Sequence, residues 1–148
     1  MSDLTRFLKQ FDDMIDKLIE ICNDSTSMRD LKVFKQKIEL VKPINPQKII
    51  TAFIQYVYLP YRNRIMGEFS EFEEFISNAN VLDEINRNEK AMKDLKASNV
   101  DNELVMTKAL NLQNMWSGLN ENNKNVLHTY FKVLVKLCDR YINSTLNK

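Results

Sequence analysis

One histidine, two cysteines and one run of carboxylates are the residues of this chain that could do chemistry. His128 is the only imidazole. A Cys–His or Ser–His–Asp centre needs that ring oriented by a third group, and "NVLHTYFKV" surrounds it with apolar helical residues and no supporting motif. A zinc site needs more ligands than Cys22, Cys138 and His128 supply. Glu71, Glu73 and Glu74 lack the Glu-x-x-His pairs of a di-iron bundle and read as the charged start of a helix. Gly67 and Gly118 are the only glycines, too few for a phosphate-cradling loop or a dinucleotide fingerprint. The expectation is a protein that is not an enzyme, with no catalytic, cofactor-binding or metal-ligating residues.

What remains is a recognition chemistry. In "YVYLPYRNRIM" (56–66), tyrosines and arginines crowd around Pro60. Both residue types are enriched at interface hot spots. On a helical wheel Ile50, Phe53, Ile54, Val57 and Tyr61 form one core face, with Ile65 at its edge. Ile49 and Tyr56 lie on one flank, Leu59 and Met66 on the other side, and Tyr58 borders the core. Two readings stand side by side. In one, neighbours bury the segment and the arginines pair with Glu68, Glu71, Glu73 or Glu74. In the other, Tyr56, Tyr58, Leu59, Tyr61, Arg62, Arg64 and Met66 dock a protein partner or a second copy of the chain.

A second surface is basic. Residues 29–48 carry Arg29, Lys32, Lys35, Lys37, Lys42 and Lys48 against Asp30 and Glu39. With Lys132, Lys136 and Arg140 of the last helix it offers an alternative, a nucleic-acid-associated accessory protein. The face lacks the aromatics that a single-strand binder interleaves with its cations, so nucleic acid is not favoured.

These residues need helices to position them. Leu4, Leu8, Phe11, Ile15, Leu18 and Cys22 step by four and three, the period of one apolar helical face, and Ser2 can cap its start. A second helix is expected from Ser27, boxed by Asp30, with Leu31, Phe34, Ile38 and Val41 inward. Pro43 breaks it. Asn45 and Pro46 then open a third helix that runs to at least Leu59. Pro60 lacks the N–H that would bond Tyr56, so a kink or break is expected there. Ser70 and Glu73 box a short helix over 71–77. A thinly anchored helix is expected over 81–97, a loop over 98–101, and a helix over 102–117 that Gly118 closes in the left-handed conformation. Asn120 caps a last helix that is apolar over a wide arc from Val126 to Ile142, as a central bundle member would be. The fold class is all-α: a single-domain bundle of six or seven helices over residues 1–148.

Composition agrees with this class. The net charge is +1, so no global field draws the chain to nucleic acid or acidic lipid. No apolar run approaches the ~20 residues of a membrane span. The opening "MSDLTRFLKQFDD" is interrupted by charges and does not read as a signal peptide. Cys22 and Cys138 read as buried free thiols of a reducing compartment. The expectation is a soluble, intracellular protein with no membrane partner.

Three segments together carry a resemblance: "KIELVKPINPQKIITAFIQYVYLPYRNRIMGEFSEFEEF" (37–75), the region of Trp116, and "NENNKNVLHTYFKVLVKLCDRYI" (120–142). An apolar helix, a Pro-Tyr step, an acidic-aromatic patch and a "YFKVLV" helix resemble small uncharacterised helical proteins of nucleocytoplasmic large DNA viruses. The resemblance covers about half the chain and implies a viral protein in the host cytoplasm or the virion. It assigns no activity. The 17 Asn, 15 Lys and 12 Ile are compatible with an AT-rich genome of that kind.

Overall fold

A computed structural model describes residues 2–78 and 115–146. Among the described residues every regular element is helical: α1 (Asp3–Ile21), α2 (Ser25–Val41), α3 (Pro46–Phe53), a π turn (Ile54–Tyr58), α4 (Leu59–Met66), α5 (Phe69–Asn78) and α6 (Glu121–Leu146). The helix expected over 81–97, the loop over 98–101 and nearly all of the helix over 102–117 lie outside the described residues.

The caps follow local chemistry more closely than the periodicity did. Ser2 accepts the Thr5 N–H at 3.1 Å and starts α1, as expected. The second helix starts earlier than Ser27. Asp24 caps it instead, its carboxylate accepting from the Thr26 and Ser27 N–H groups and from the Ser27 hydroxyl. A charged acceptor beside three donors outcompetes a serine hydroxyl, and Ser27 is buried in the first turn. Asn45 precedes Pro46 at the start of α3 but makes no side-chain cap bond. The fifth helix begins at Phe69, before the expected Ser70–Glu73 box. Glu73 is drawn away to Trp116 and Lys124. Asn120 does cap α6, its Oδ1 accepting the Asn123 N–H at 2.8 Å. Gly118 is not left-handed. A side chain there would strike Asn23, whose amide donates to the Gly118 carbonyl at 3.2 Å; close approach explains that glycine.

Of the kink or break expected at Pro60, the break does not occur: the helix runs on from α3 through the π turn into α4. Deformation is taken up one turn earlier, where the Leu59 N–H bonds to Ile54 O in π register. Tyr58 and Leu59 keep right-handed helical dihedrals (φ −64°, ψ −56° and φ −62°, ψ −47°). The wider π ring gives the proline ring room over the preceding turn, where an α register would drive it into a carbonyl.

The core is a chain of aromatic rings. Phe34 of α2 meets Phe11 of α1 at 6.1 Å, and Phe11 meets Phe7 at 5.7 Å. Phe7 meets Phe53 of α3 edge-on at 5.3 Å, and Phe53 meets Phe131 of α6 at 6.4 Å. Phe131 then touches Phe72 and Phe75 of α5 at 5.3 and 6.4 Å. On α6 the buried arc is Leu127, His128, Phe131, Leu134, Val135, Leu137 and Cys138. Cys22 and Cys138 are both buried and free. Ion pairs staple the rim of α1: Lys35 to Asp16, Lys42 to Asp12, and Arg140 to Asp3.

Phe131→Ala is expected to lower stability by about 3–5 kcal/mol, from lost transfer energy plus a cavity. Leu40→Ala, at a 70% exposed position, should stay within about 0.5 kcal/mol of the parent. Urea unfolding followed by circular dichroism measures both.

Candidate functional site

The 56–66 segment divides by burial. Tyr56 and Tyr61 are buried, at 7% and 5% exposure, and Ile49 joins Tyr56 inside the fold at 3%. Burial pushes the Tyr56 phenol up from its ordinary value. Tyr61 lies against Phe75 with ring centres 4.5 Å apart. Met66 is half-buried and packs on the core cluster. Tyr58 and Arg62 are half-buried and engaged. Leu59 is 67% exposed, and Pro60, Asn63 and Arg64 are exposed beside it.

The arginines do not pair with the glutamates of α5 as the buried reading expects. Arg62 forks onto Asp139 of α6 instead: Nε donates to Oδ1 at 3.1 Å and a terminal nitrogen to Oδ2 at 2.9 Å. The Tyr58 hydroxyl donates to the same Oδ1. Arg62 also sits 6.0 Å over the Tyr58 ring. The guanidinium, aided by the phenol, holds the Asp139 carboxyl below its ordinary range. The carboxylate in turn raises both the Tyr58 phenol and the Arg62 guanidinium. Two-point recognition by a planar fork fixes orientation as well as contact. The clamp therefore helps to lock the phase of α4: Tyr61 and Ile65 turn inward, and Leu59, about 160° around the helix from Tyr61, faces outward.

Asp139 was missed by reasoning on the tyrosine segment alone. Its signal is plain afterwards: it is the only carboxylate after Glu121. The glutamate cluster also divides. Glu73 accepts from Trp116 Nε1 and Lys124 Nζ, each at 3.3 Å, and Lys124 lies 5.4 Å over the indole. Glu68, Glu71 and Glu74 face solvent.

His128 is a packing residue. It is 5% exposed and stacks on Phe72 at 4.5 Å with an interplanar angle of 14°. Its Nε2 lies 2.8 Å from the Ile65 carbonyl. A carbonyl only accepts, so Nε2 carries the proton. Burial pushes the imidazole down from its ordinary value, and nearby Lys132 adds to this while the Ile65 bond opposes it. Cys138 is 0% exposed, and burial raises its thiol far above the ordinary value, against nucleophilic use.

The basic face is partly neutralised within the chain. Lys35, Lys42 and Arg140 have carboxylate partners, which removes three of the cations a phosphate would recruit. What the periodicity did not show is the aliphatic content of this surface: Leu40 and Ile44 are 70% and 85% exposed, and Val33 is 43% exposed. An open groove of about 580 Å³ runs along Lys32, Lys35, Gln36, Glu39 and Leu40. Among the described residues no helix is long and apolar enough to cross a membrane.

Two of these groups make stability depend on pH. Asp139 contributes its full stability above the ordinary carboxylate value of 3.8, and this is lost as pH falls through its lower folded value. Asp139→Asn should lower stability by about 1 kcal/mol at pH 7 and flatten the acid limb, measured by urea melts across pH. His128 is neutral in the fold, so its contribution is complete above the ordinary value of 6.5 and declines as pH drops from there toward the lower folded value. Because this histidine is alone, its NMR titration is unambiguous, and a midpoint below 6.5 is expected.

Set against family models, curated proteins and solved structures, the chain matches none of them.

Proposed function

We propose that this chain is a non-enzymatic helical interaction or structural protein that docks a protein partner, or itself, through the outer face of residues 56–66. The observation that carries this reading is Leu59. It is 67% exposed on a helix whose Tyr61 and Ile65 are buried and whose Arg62 is held by the Asp139 clamp. A leucine displayed on a fixed frame costs a partner little ordering entropy on binding. In this reading Tyr56, Tyr58, Tyr61 and Arg62 build the frame, Met66 borders it, and Leu59, Pro60, Asn63 and Arg64 make the contact. A bundle of six or seven helices with α6 as its central apolar member belongs to the same proposal. So does a place in an infected cell or virion, which rests on the resemblance of segments 37–75 and 120–142.

A photo-cross-linking phenylalanine analogue at position 59 tests the site. The expected result is an adduct of defined mass from position 59, none from the exposed position 136 on α6, and loss of the adduct when Arg64→Glu is added. Equal labelling from positions 59 and 136, or none at 59, would overturn the reading.

A further inference from the structure

Two rows of exposed side chains on this one molecule have complementary chemistry and matched spacing. On α2, Lys32, Gln36 and Leu40 succeed each other at four-residue steps, a ridge along one side of the helix. All three are exposed, and they line the open groove of that helix. Leu59 and Asn63 of α4 and Gly67, the residue that ends it, step by four in the same way. Gly67 has no side chain, and the place one would occupy is taken by the Glu71 carboxylate, which a Cβ at Gly67 would overlap. The second row therefore reads Leu59, Asn63, Glu71. The α2 row runs from aliphatic through amide to charge over eight residues, about 12 Å of helix, and the Glu71 carboxylate, standing where a Gly67 side chain would be, closes the second row in the same order. The charges are opposite. Neither Lys32 nor Glu71 forms an ion pair with another described residue.

We infer that a second copy of this chain is the occupant: the Lys32–Gln36–Leu40 row of one molecule packs antiparallel on the Leu59–Asn63–Glu71 row of the next. Leu40, extended by Ile44, meets Leu59 and Pro60; Gln36 meets Asn63; Lys32 meets Glu71. Ridges of four-residue pitch interlock in the commonest class of helix packing. Both rows belong to every molecule, so the contact is heterologous and propagates into a ring or a chain of copies. The two rows bring only a few residues a side, against the roughly 20–30 of a standard stable interface, so each contact is weak and assembly depends on concentration. Glu39 on the rim of the groove disfavours phosphate-bearing surfaces as occupants, whereas a protein row carrying one carboxylate at the far end avoids it. This inference rests on the interaction reading above and names the partner.

Sedimentation velocity over a concentration series tests it. Wild-type weight-average mass should rise with concentration and fall back toward monomer with added salt. Leu40→Glu alone and Leu59→Glu alone should each remain monomeric with unchanged circular dichroism. Mixed in equal amounts they should form a one-to-one dimer and nothing larger, because a single intact pair of rows remains. Lys32→Glu should abolish association, and adding Glu71→Lys to it should restore it. A wild-type mass fixed at monomer overturns the inference. So does association indifferent to both leucine variants, or a mixture that stays monomeric. If monomeric wild type still gives a position-59 adduct with a different protein, the self-contact fails while the interaction reading survives. If Leu40→Glu instead removes binding to anionic phospholipid vesicles or to DNA from a monomeric protein, the α2 row serves that occupant and the self-contact is wrong.

Discussion

The ring of Phe131 is the joint on which the rest of the structure depends. On one side of it lies a relay of Phe34, Phe11, Phe7 and Phe53, carried by α1, α2 and α3. On the other lie Phe72 and Phe75 of α5, with Tyr61, Trp116 and His128 packed around them. Phe131 touches Phe53, Phe72 and Phe75, so one α6 side chain bridges the two relays. Dispersion falls off within a fraction of an ångström of contact distance. The bridge therefore works only when α6 sits at the right depth and rotation, and that requirement fixes everything else the helix carries.

Asp139 is one of the things it carries. Two turns after Phe131, the carboxylate reaches the next helix at the point where the π turn hands over to α4. The π turn and the clamp solve one problem together. A proline in this rod would disturb an α register, and the shift to π register relieves it but rotates the helix beyond the turn. Arg62 and Tyr58 then pin the rotated helix to Asp139, so its phase is determined by a charge-assisted fork as well as by packing. The exposure of Leu59 and the burial of Tyr61 are two sides of that single rotation.

How much of this was legible depends on the range of the interaction. Helix positions came through because hydrophobic periodicity is local: Phe11, Ile15, Leu18 and Cys22 are buried where the four-three spacing put them, and Leu4 and Leu8 of the same series pack half-buried on the core. Caps were partly legible. Ser2 and Asn120 act as read, but Asp24 displaced Ser27, and Glu73 left its expected box for Trp116, because competition among acceptors depends on which donors the fold brings near. Burial of Tyr56 fits the reading in which neighbours bury the segment, but the tie from Arg62 to Asp139 was not legible. The partners are 77 residues apart, outside the reach of any local period, although the wheel did put Tyr61 on the core face and Ile65 at its edge, where both are buried. Gly118 misled for a related reason: helix-end glycines suggest a left-handed cap, whereas this one makes room for Asn23 from another part of the chain.

The same distinction between local and non-local explains what a near-neutral chain can do at its surface. A net charge of +1 gives little long-range repulsion between copies, yet the charges are not mixed evenly. Cations concentrate on α2, where Lys35 and Lys42 are neutralised by α1 while Lys32 is exposed, and carboxylates concentrate at the start of α5, where Glu73 is engaged while Glu71 and Glu74 face solvent. Such a molecule has weak forces at a distance and patterned ones at contact. Screening weakens the charged ends of the two rows within about 10 Å at ordinary salt, but it leaves the leucine ends untouched. Leu40 and Leu59 would then supply the apolar share of the affinity, and Lys32 with Glu71 the register and the salt-sensitive share, so added salt shifts a contact this weak toward monomer. That division would make the proposed association specific without making it strong, as a reversible assembly requires.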